Sequence, residues 1–419
     1  MQVINSFIEF LQQMGAQAIM PVFIIIIGLV IRVPLKDLIK AALTVAVGFI
    51  GMFAMMGILG SSIAPSVASM AEKMGLQLTA LDVGWTVPAS FAWAYYLAPV
   101  VFLLTFGVNI VMILLGWTRT LNVDVWNFHN FMFAAAVIDV TTGNTVLALA
   151  AAVITNVTAL LMADWAYKLT EKDYPGISFA HAFTVYWIPL SLLLNKLWGI
   201  IPGVKKVQAD PETLIKKFGN WGDPMFIGFI LGFLITLVAG LGVQAAILTG
   251  LSLAAVMLLL PKMVAYLMEG VSVIATRIQE VAEGSKLLRG KELLIGVDGG
   301  LLIGRPGSIV MGVVMVPIVL VIAFILPGNK TIPMGDLAVL YGLWQWTVIC
   351  AKDNVFRGIL SATVISALTL WIASDFAPAV TLMAEGVGYA LPAGMNQITA
   401  LALGNEIIPW LFYRLALLF

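Results

Sequence analysis

Ten stretches of this 419-residue sequence run without a single Asp, Glu, Lys or Arg, and most are long enough to cross a bilayer. A membrane-crossing helix needs about 20 mostly apolar residues. The charge-free runs are Leu11 to Ile31, Ala41 to Ala71, Val83 to Thr118, Val140 to Ala163, Tyr174 to Asn195, Pro224 to Pro261, Pro306 to Asn329, Leu337 to Ala351, Gly358 to Ser374 and Gly386 to Asn405. Only 11% of the residues are charged, against roughly 25% in a soluble domain. A water-soluble globule of this composition would expose large apolar patches, which excludes a cytosolic enzyme, a secreted disulfide scaffold and a nucleic-acid binder. The 22 basic and 22 acidic residues cancel, leaving no field to draw a polyanion. One cysteine and two histidines offer too few ligands for most metal centres, so neither metal nor cofactor is expected.

The charges give the sidedness. No basic residue precedes the first apolar run, but Arg32, Lys36 and Lys40 follow it. This suits an uncleaved first span with the N-terminus outside. Two charge-rich stretches, Lys196 to Asp223 and Lys262 to Glu292, should both be cytoplasmic. Between them Pro224 to Pro261 is too long for one crossing and is broken at Gly240-Leu-Gly242. In the second stretch Val273, Ile274, Ile278, Val281 and Leu287 recur at helical spacing, which predicts an amphipathic helix along the interface near 262–292.

The halves 1–215 and 216–419 follow one order. Each runs span, turn, span, an amphipathic segment (Ser66 to Leu81 in the first), and then a polar break, Asp82-Val-Gly84 or Asp298-Gly-Gly300. Each later holds a polar-studded apolar segment interrupted by proline, near 174–195 and 386–405, read here as re-entrant. The same order begun from opposite sides of the membrane is the signature of an inverted repeat with a substrate site near the midplane. The expected fold is an all-α polytopic membrane protein with about 11 transmembrane helices, two re-entrant hairpins and amphipathic interfacial helices.

Ionisable groups inside the bilayer cost on the order of 2.5–3.5 kcal/mol and need a reason. Asp298 stands among glycines that let backbone approach a ligand, and its carboxylate can accept hydrogen bonds from hydroxyls or take a proton from one. The plainer alternative is a helix cap or a pair with Lys291. Asp82 is its counterpart, followed by Trp85, a flat face for a sugar or polyol, and by the hydroxyl of Thr86; an N-cap beside an interfacial tryptophan is the rival reading. His181 sits between prolines and can donate, accept or shuttle a proton, with Thr184 on the same helical face. Asn130 is the more inward of the polar group Asn127, His129 and Asn130, with His129 assigned to the interface. Asn396 and Gln397 occupy in the second half the place of His181 in the first. Asp139, Glu385 and Cys350 are read as structural. No phosphate-binding Gly-rich loop with Lys-Ser/Thr is present, so ATP does not drive this chain.

Several stretches, spread in order along the chain, carry a family resemblance. They are Asp82-Val-Gly-Trp85, Asn122-Val-Asp-Val-Trp-Asn127, Lys217-Phe-Gly-Asn-Trp-Gly-Asp-Pro224, Ala255-Val-Met-Leu-Leu-Leu-Pro261, Leu294-Ile-Gly-Val-Asp298, Pro327-Gly-Asn329 and Pro333-Met-Gly-Asp-Leu-Ala338. With these the chain resembles the galactitol-type membrane (IIC) permeases of the bacterial phosphoenolpyruvate-dependent phosphotransferase system and, more distantly, the ascorbate permeases of the same superfamily. The resemblance implies a homodimer in the bacterial inner membrane, among lipids, with a static scaffold and a mobile elevator-type core. It also implies a separate cytoplasmic IIB protein that passes a phosphoryl group from a phosphocysteine and is itself charged by IIA. By the same resemblance Asp82, His181 and Asp298 match substrate positions, with Asp298 or His181 as the group taking the hydroxyl proton. Asn130 stands where relatives carry a histidine, and Ala134 where some carry a polar side chain. The rival from another class is an ion-coupled secondary transporter of a sugar or polyol, with Asp82, Asp139 or His181 binding the coupling proton.

Overall fold

The computed structural model describes residues 16–73, 79–207, 209, 223–284, 292–336, 339–391 and 395–418. The chain is predominantly helical. Helices α1 (Ala16–Val30) and α2 (Leu35–Lys73) lead to strand β1 (Ala80–Asp82), α3 (Thr86–Ala94), α4 (Ala98–Leu115) and β2 (Thr120–Asn122). Then come α5 (Phe128–Thr142), α6 (Thr145–Ala166), β3 (Ile177–Phe179), α7 (Ala182–Val185) and α8 (Ile188–Ile200). The second half supplies α9 (Pro224–Val238), α10 (Val243–Gly284), β4 (Leu294–Val297), α11 (Gly300–Ile303) and α12 (Pro306–Ile325). It finishes with α13 (Leu340–Leu343), α14 (Gln345–Cys350), α15 (Val355–Gly386), β5 (Gln397–Thr399) and α16 (Ile407–Ala416).

Six helices among the described residues are long and apolar enough to cross a membrane, and the chain is a polytopic membrane protein. Their outer faces carry large side chains that water would not tolerate in such number: Leu103 is 67% exposed, Val146 79% and Ile325 65%. The expected count of about 11 spans is not reached by these criteria, because several apolar runs are divided. Val83 to Thr118 splits into α3 and α4, Tyr174 to Asn195 into β3, α7 and α8, and Leu337 to Ala351 into α13 and α14. The predicted amphipathic helix near 262–292 is not a separate element as far as Gly284, beyond which 285–291 lie outside the described residues. It is the distal part of α10, a 42-residue helix that passes through Pro261. Ile274 and Ile278 are buried and Arg277 Nε donates to the Ile31 carbonyl at 2.9 Å, so its apolar face packs on the α1–α2 corner. Ser66 to Lys73 likewise continues α2, and 74–78 lie outside the described residues.

Helices α2, α9 and α10 approach closely because small residues face one another. In lipid no hydrophobic gain separates helix contact from lipid contact, so close backbone packing and interhelical hydrogen bonds carry association. A Cβ on Gly232 would stand 2.9 Å from the Thr249 carbonyl oxygen, and one on Gly250 2.8 Å from that of Phe229. Ser66 and Thr236 share a hydroxyl hydrogen bond of 3.1 Å, and Ser69 Oγ and Lys73 Nζ donate to the Ala239 carbonyl at 2.7 and 2.6 Å.

The breaks between helices are not loose loops. Backbone polar groups inside a membrane must find partners within the protein, and here extended breaks from distant parts of the chain pair with each other. Central strand β4 pairs in parallel with β2 on one side and β3 on the other; β1 pairs in parallel with β5. Both small sheets, unforeseen in an all-α reading, join the first half to the second. Their edges are closed by side chains. Asn109 on α4 donates to the Thr120 carbonyl at 2.8 Å and accepts from Asn122 N–H at 2.9 Å, standing in for a further strand beside β2. Thr381 on α15 does the same for β5, accepting from Ile398 N–H at 3.0 Å.

Candidate functional site

Strand register assembles the site. Asn122 lies opposite Gly296 and Phe179 opposite Val297, so the three parallel strands finish together and deliver Asp124, His181 and Asp298 to one point. Asp298 N–H donates to Asp124 Oδ2 at 2.8 Å, and Trp126 N–H to Asp124 Oδ1 at 3.0 Å. Gly300 N–H donates to Asp298 Oδ1 at 2.5 Å. This leaves Asp298 Oδ2 directed at His181, whose Nε2 is 3.1 Å away without the alignment of a hydrogen bond.

In front of this pair lies a small, partly open cavity. Its walls are mostly apolar and aromatic: Phe49 and Met52 from α2, Trp85, Trp126, Phe183 and Ile303. His129, on the first turn of α5, stands 5.7 Å from the Trp85 ring and 6.0 Å from Trp126, and the two indoles meet edge to face at 5.9 Å. Gln345 on α14 donates through Nε2 to the Gly299 carbonyl at 3.0 Å. Several buried polar atoms of the walls make no hydrogen bond: both His129 nitrogens, Trp126 Nε1 and Gln345 Oε1, with His181 Nε2 holding only its contact to Asp298. Buried polar groups are ordinarily paired, so a concentration of unpaired ones around one cavity marks where a polar ligand would satisfy them. Among the described residues no Lys or Arg lines the cavity. Among the described residues no cluster of His, Cys, Asp and Glu has a metal-binding arrangement.

Of the residues singled out from sequence, Asp298, His181 and Trp85 line this cavity. Thr184 sits behind it, its hydroxyl 3.5 Å from His181 Nδ1. Asn130 is buried beside it and donates to the Asn127 carbonyl at 3.1 Å. Asp82 is elsewhere. It is buried at the β1–β5 break, accepting from Gly84 N–H at 3.1 Å, Leu401 N–H at 3.3 Å and Asp336 N–H at 2.9 Å. Asp336 in turn accepts from Trp85 N–H at 2.7 Å and Ala402 N–H at 2.8 Å. These two carboxylates therefore form a clasp of five backbone amides that holds the indole-bearing break in place. Thr86 and Asn396 are exposed, and Gln397 is half-buried within β5, paired with Ala80. Asp139 accepts from Tyr95, Tyr96 and Thr145, and Cys350 is buried, both in structural settings.

Three cavity residues escaped the sequence reading. His129 was assigned to the interface but is 1% exposed and faces inward. Trp126 carries no charge to mark it in the sequence, although its spacing of three from His129 puts both on one helical face. Gln345 lies uncharged within an apolar run, and only a search for amides as well as ionisable groups would have found it.

The family described as "PTS system sugar-specific permease component" (EIIC-GAT) matches residues 9–394. The "PTS system galactitol-specific EIIC component" of Escherichia coli K12 is 30% identical over 412 residues, covering 98% of this chain and 90% of the relative. A "Putative permease IIC component" of the same organism is 31% identical over 399 residues, covering 95% and 91%. A family match over nearly the whole chain, around a buried polar cavity in a polytopic helical protein, means that the chain belongs to the EIIC-GAT family of phosphotransferase-system sugar permease components.

Proposed function

We propose that this permease subunit carries a neutral hexitol, galactitol, across the bacterial inner membrane to be phosphorylated by a separate IIB protein. The observation that carries the reading is the cavity itself. Two indole faces and several unpaired donors and acceptors suit a polyhydroxy chain, and the absence of any lining cation argues against an anionic sugar acid. The galactitol-specific relative supports the same substrate.

Asp298 and His181 are the residues proposed to act on the reacting hydroxyl. As its oxygen forms a bond to phosphorus and the S–P bond of the IIB phosphocysteine breaks, the proton passes to Asp298 Oδ2 or His181 Nε2, which stand 3.1 Å apart. Asp82 is proposed to act at one remove, through the clasp that sets Trp85. Thr184 orients the His181 ring. Thr86, Asn130, Asn396 and Gln397 keep a proposed role only in a conformation that turns them toward the substrate.

An elevator is the proposed mode of transport. Helices α1, α2, α9 and α10 form the scaffold and the two-sheet body the mobile core; Phe49 and Met52 of α2 share the cavity wall with core residues, which suits a substrate carried along that boundary. The common order of helix pair, strand, aspartate and short helix in residues 1–215 and 216–419 supports an inverted repeat with re-entrant segments near 174–195 and 386–405. The Lys40–Glu269 ion pair of 3.3 Å supports one side, cytoplasmic, for the basic turn at Arg32, Lys36 and Lys40 and the Lys262 to Glu292 stretch, with the N-terminus outside. A homodimer in contact with membrane lipids, served by IIB and through it IIA, completes the proposal.

The test uses proteoliposomes, phosphorylated IIB and labelled galactitol, with and without an ion gradient. Internal galactitol phosphate formed only with phosphorylated IIB is the expected result. Unmodified galactitol accumulated on a proton or sodium gradient would replace this reading with an ion-coupled transporter.

A further inference from the structure

We infer that Gln345 is a specificity-determining residue, presenting its side-chain oxygen to the cavity as an acceptor for one particular hydroxyl of the substrate. The inference rests on the reading of the cavity as a neutral-hexitol site. Gln345 is 1% exposed, and its Nε2 donates to the Gly299 carbonyl at 3.0 Å while Oε1 has no partner. The orientation follows from chemistry. Turning the amide over would set two carbonyl oxygens against each other and leave the NH₂ group unpaired, so the nitrogen is the atom held at Gly299 and the oxygen is the one this cavity-lining side chain has left to accept.

The surroundings fix that orientation. Gln345 stands between Trp344 and Trp346, each 1% exposed, at the start of α14, which leaves its backbone no room to shift. Gly299 is the point on which the polar wall converges. A Cβ there would lie 2.8 Å from Gln345 Nε2, 2.8 Å from His181 Nδ1 and 3.4 Å from Thr184 Oγ1. The missing side chain is what lets an amide from α14 and an imidazole from the β3–α7 junction meet beside Asp298. Gln345 Oε1 and Asp298 Oδ2 are thus two acceptors contributed by different segments and held through adjoining residues, 298 and 299.

Consequences for selectivity follow. An acceptor left buried and unpaired is costly, and a site built to bond a hydroxyl rejects an analogue lacking it far more strongly than an apolar pocket rejects a missing methylene. Aromatic walls hold any polyol of similar length. A fixed amide oxygen separates those that place a hydroxyl opposite it from those that do not.

The experiment measures equilibrium binding of galactitol and its six monodeoxy analogues to the purified full chain. Galactitol is meso, so its hydroxyls form three mirror-related pairs that a chiral site tells apart, and both enantiomers of each analogue are needed to remove every hydroxyl in turn. Wild-type protein and Gln345→Met, similar in size but without the acceptor, are compared, and thermal unfolding without ligand checks the fold. The expected result has two parts. Wild type binds one analogue at least tenfold more weakly than galactitol, and Gln345→Met binds galactitol at least tenfold more weakly while no longer distinguishing that analogue. A Gln345→Met protein that keeps the wild-type pattern, or weakens all seven ligands by one factor, overturns the inference and leaves the functional reading standing. Wild-type protein that binds no neutral hexitol overturns both. If Gln345→Met does not fold, the wild-type series decides: equal affinity for all seven polyols overturns the inference.

Discussion

Replacing Asp298 by asparagine changes one hydrogen-bonding atom in the cavity and nothing in its frame. Asp298 Oδ1 is committed to Gly300 N–H at 2.5 Å, and the backbone N–H is committed to Asp124. In Asp298→Asn the side-chain oxygen must keep the Gly300 bond, because only an acceptor can serve it. The NH₂ group then falls where Oδ2 stood, 3.1 Å from His181 Nε2, and an acceptor facing the cavity becomes a donor. Hydrogen bonds to charged groups contribute about 1.5–3 kcal/mol, so a substrate hydroxyl that donates to Oδ2 should lose binding by roughly 10- to 150-fold. Loss of the proton acceptor adds to this in phosphorylation-coupled uptake, which should fall further than binding does. The assay pairs equilibrium binding of labelled galactitol with vectorial phosphorylation in proteoliposomes, and thermal unfolding establishes that the fold survives. Unchanged binding and uptake in a folded Asp298→Asn protein would refute the placement of substrate against this carboxylate.

Other substitutions probe the frame and the walls. His129→Phe keeps a ring against Trp85 while removing two unpaired buried nitrogens; it should lower hexitol affinity about tenfold or more yet leave the melting temperature unchanged or raised, as apolar replacement of unpaired polar atoms allows. Asp336→Ala leaves the Trp85 and Ala402 amides unpaired at about 1–3 kcal/mol each, so thermal stability should drop clearly, with substrate affinity falling as Trp85 loosens. A stable Asp336→Ala protein would refute the clasp. Gly250→Val drives a branched side chain into the Phe229 carbonyl across the α9–α10 contact, and overpacking of about 1–3 kcal/mol should appear as lower thermal stability and lower yield of dispersed protein in detergent.

The polar and apolar parts of this protein were unequally legible. Asp298 and His181 stood out because an ionisable group in an apolar run violates the solvent, and the violation is visible one residue at a time. Asp82 stood out for the same reason, and the structure gives it a different use: its oxygens are taken up by backbone amides from residues 84, 336 and 401. A carboxylate that faces a cavity and one taken up by backbone look alike in sequence. Gln345 and Trp126 gave no such signal, since an amide or an indole in an apolar segment costs too little to demand a reason.

By itself the sequence determined the solvent, the helical class, the family and the polar breaks at Asp82, Gly240–Gly242 and Asp298, because each of these depends on composition and on order along the chain. Only the tertiary structure decided what the breaks do. Strands of three or four residues have no stability or signature alone, and β1, β2, β3, β4 and β5 exist because buried backbone groups in distant breaks had no other partners. That pairing joins residue 122 to 296 and 179 to 297, and so brings Asp124, His181 and Asp298 together. No local pattern encodes such a meeting, since it arises from satisfying hydrogen bonds across the whole fold.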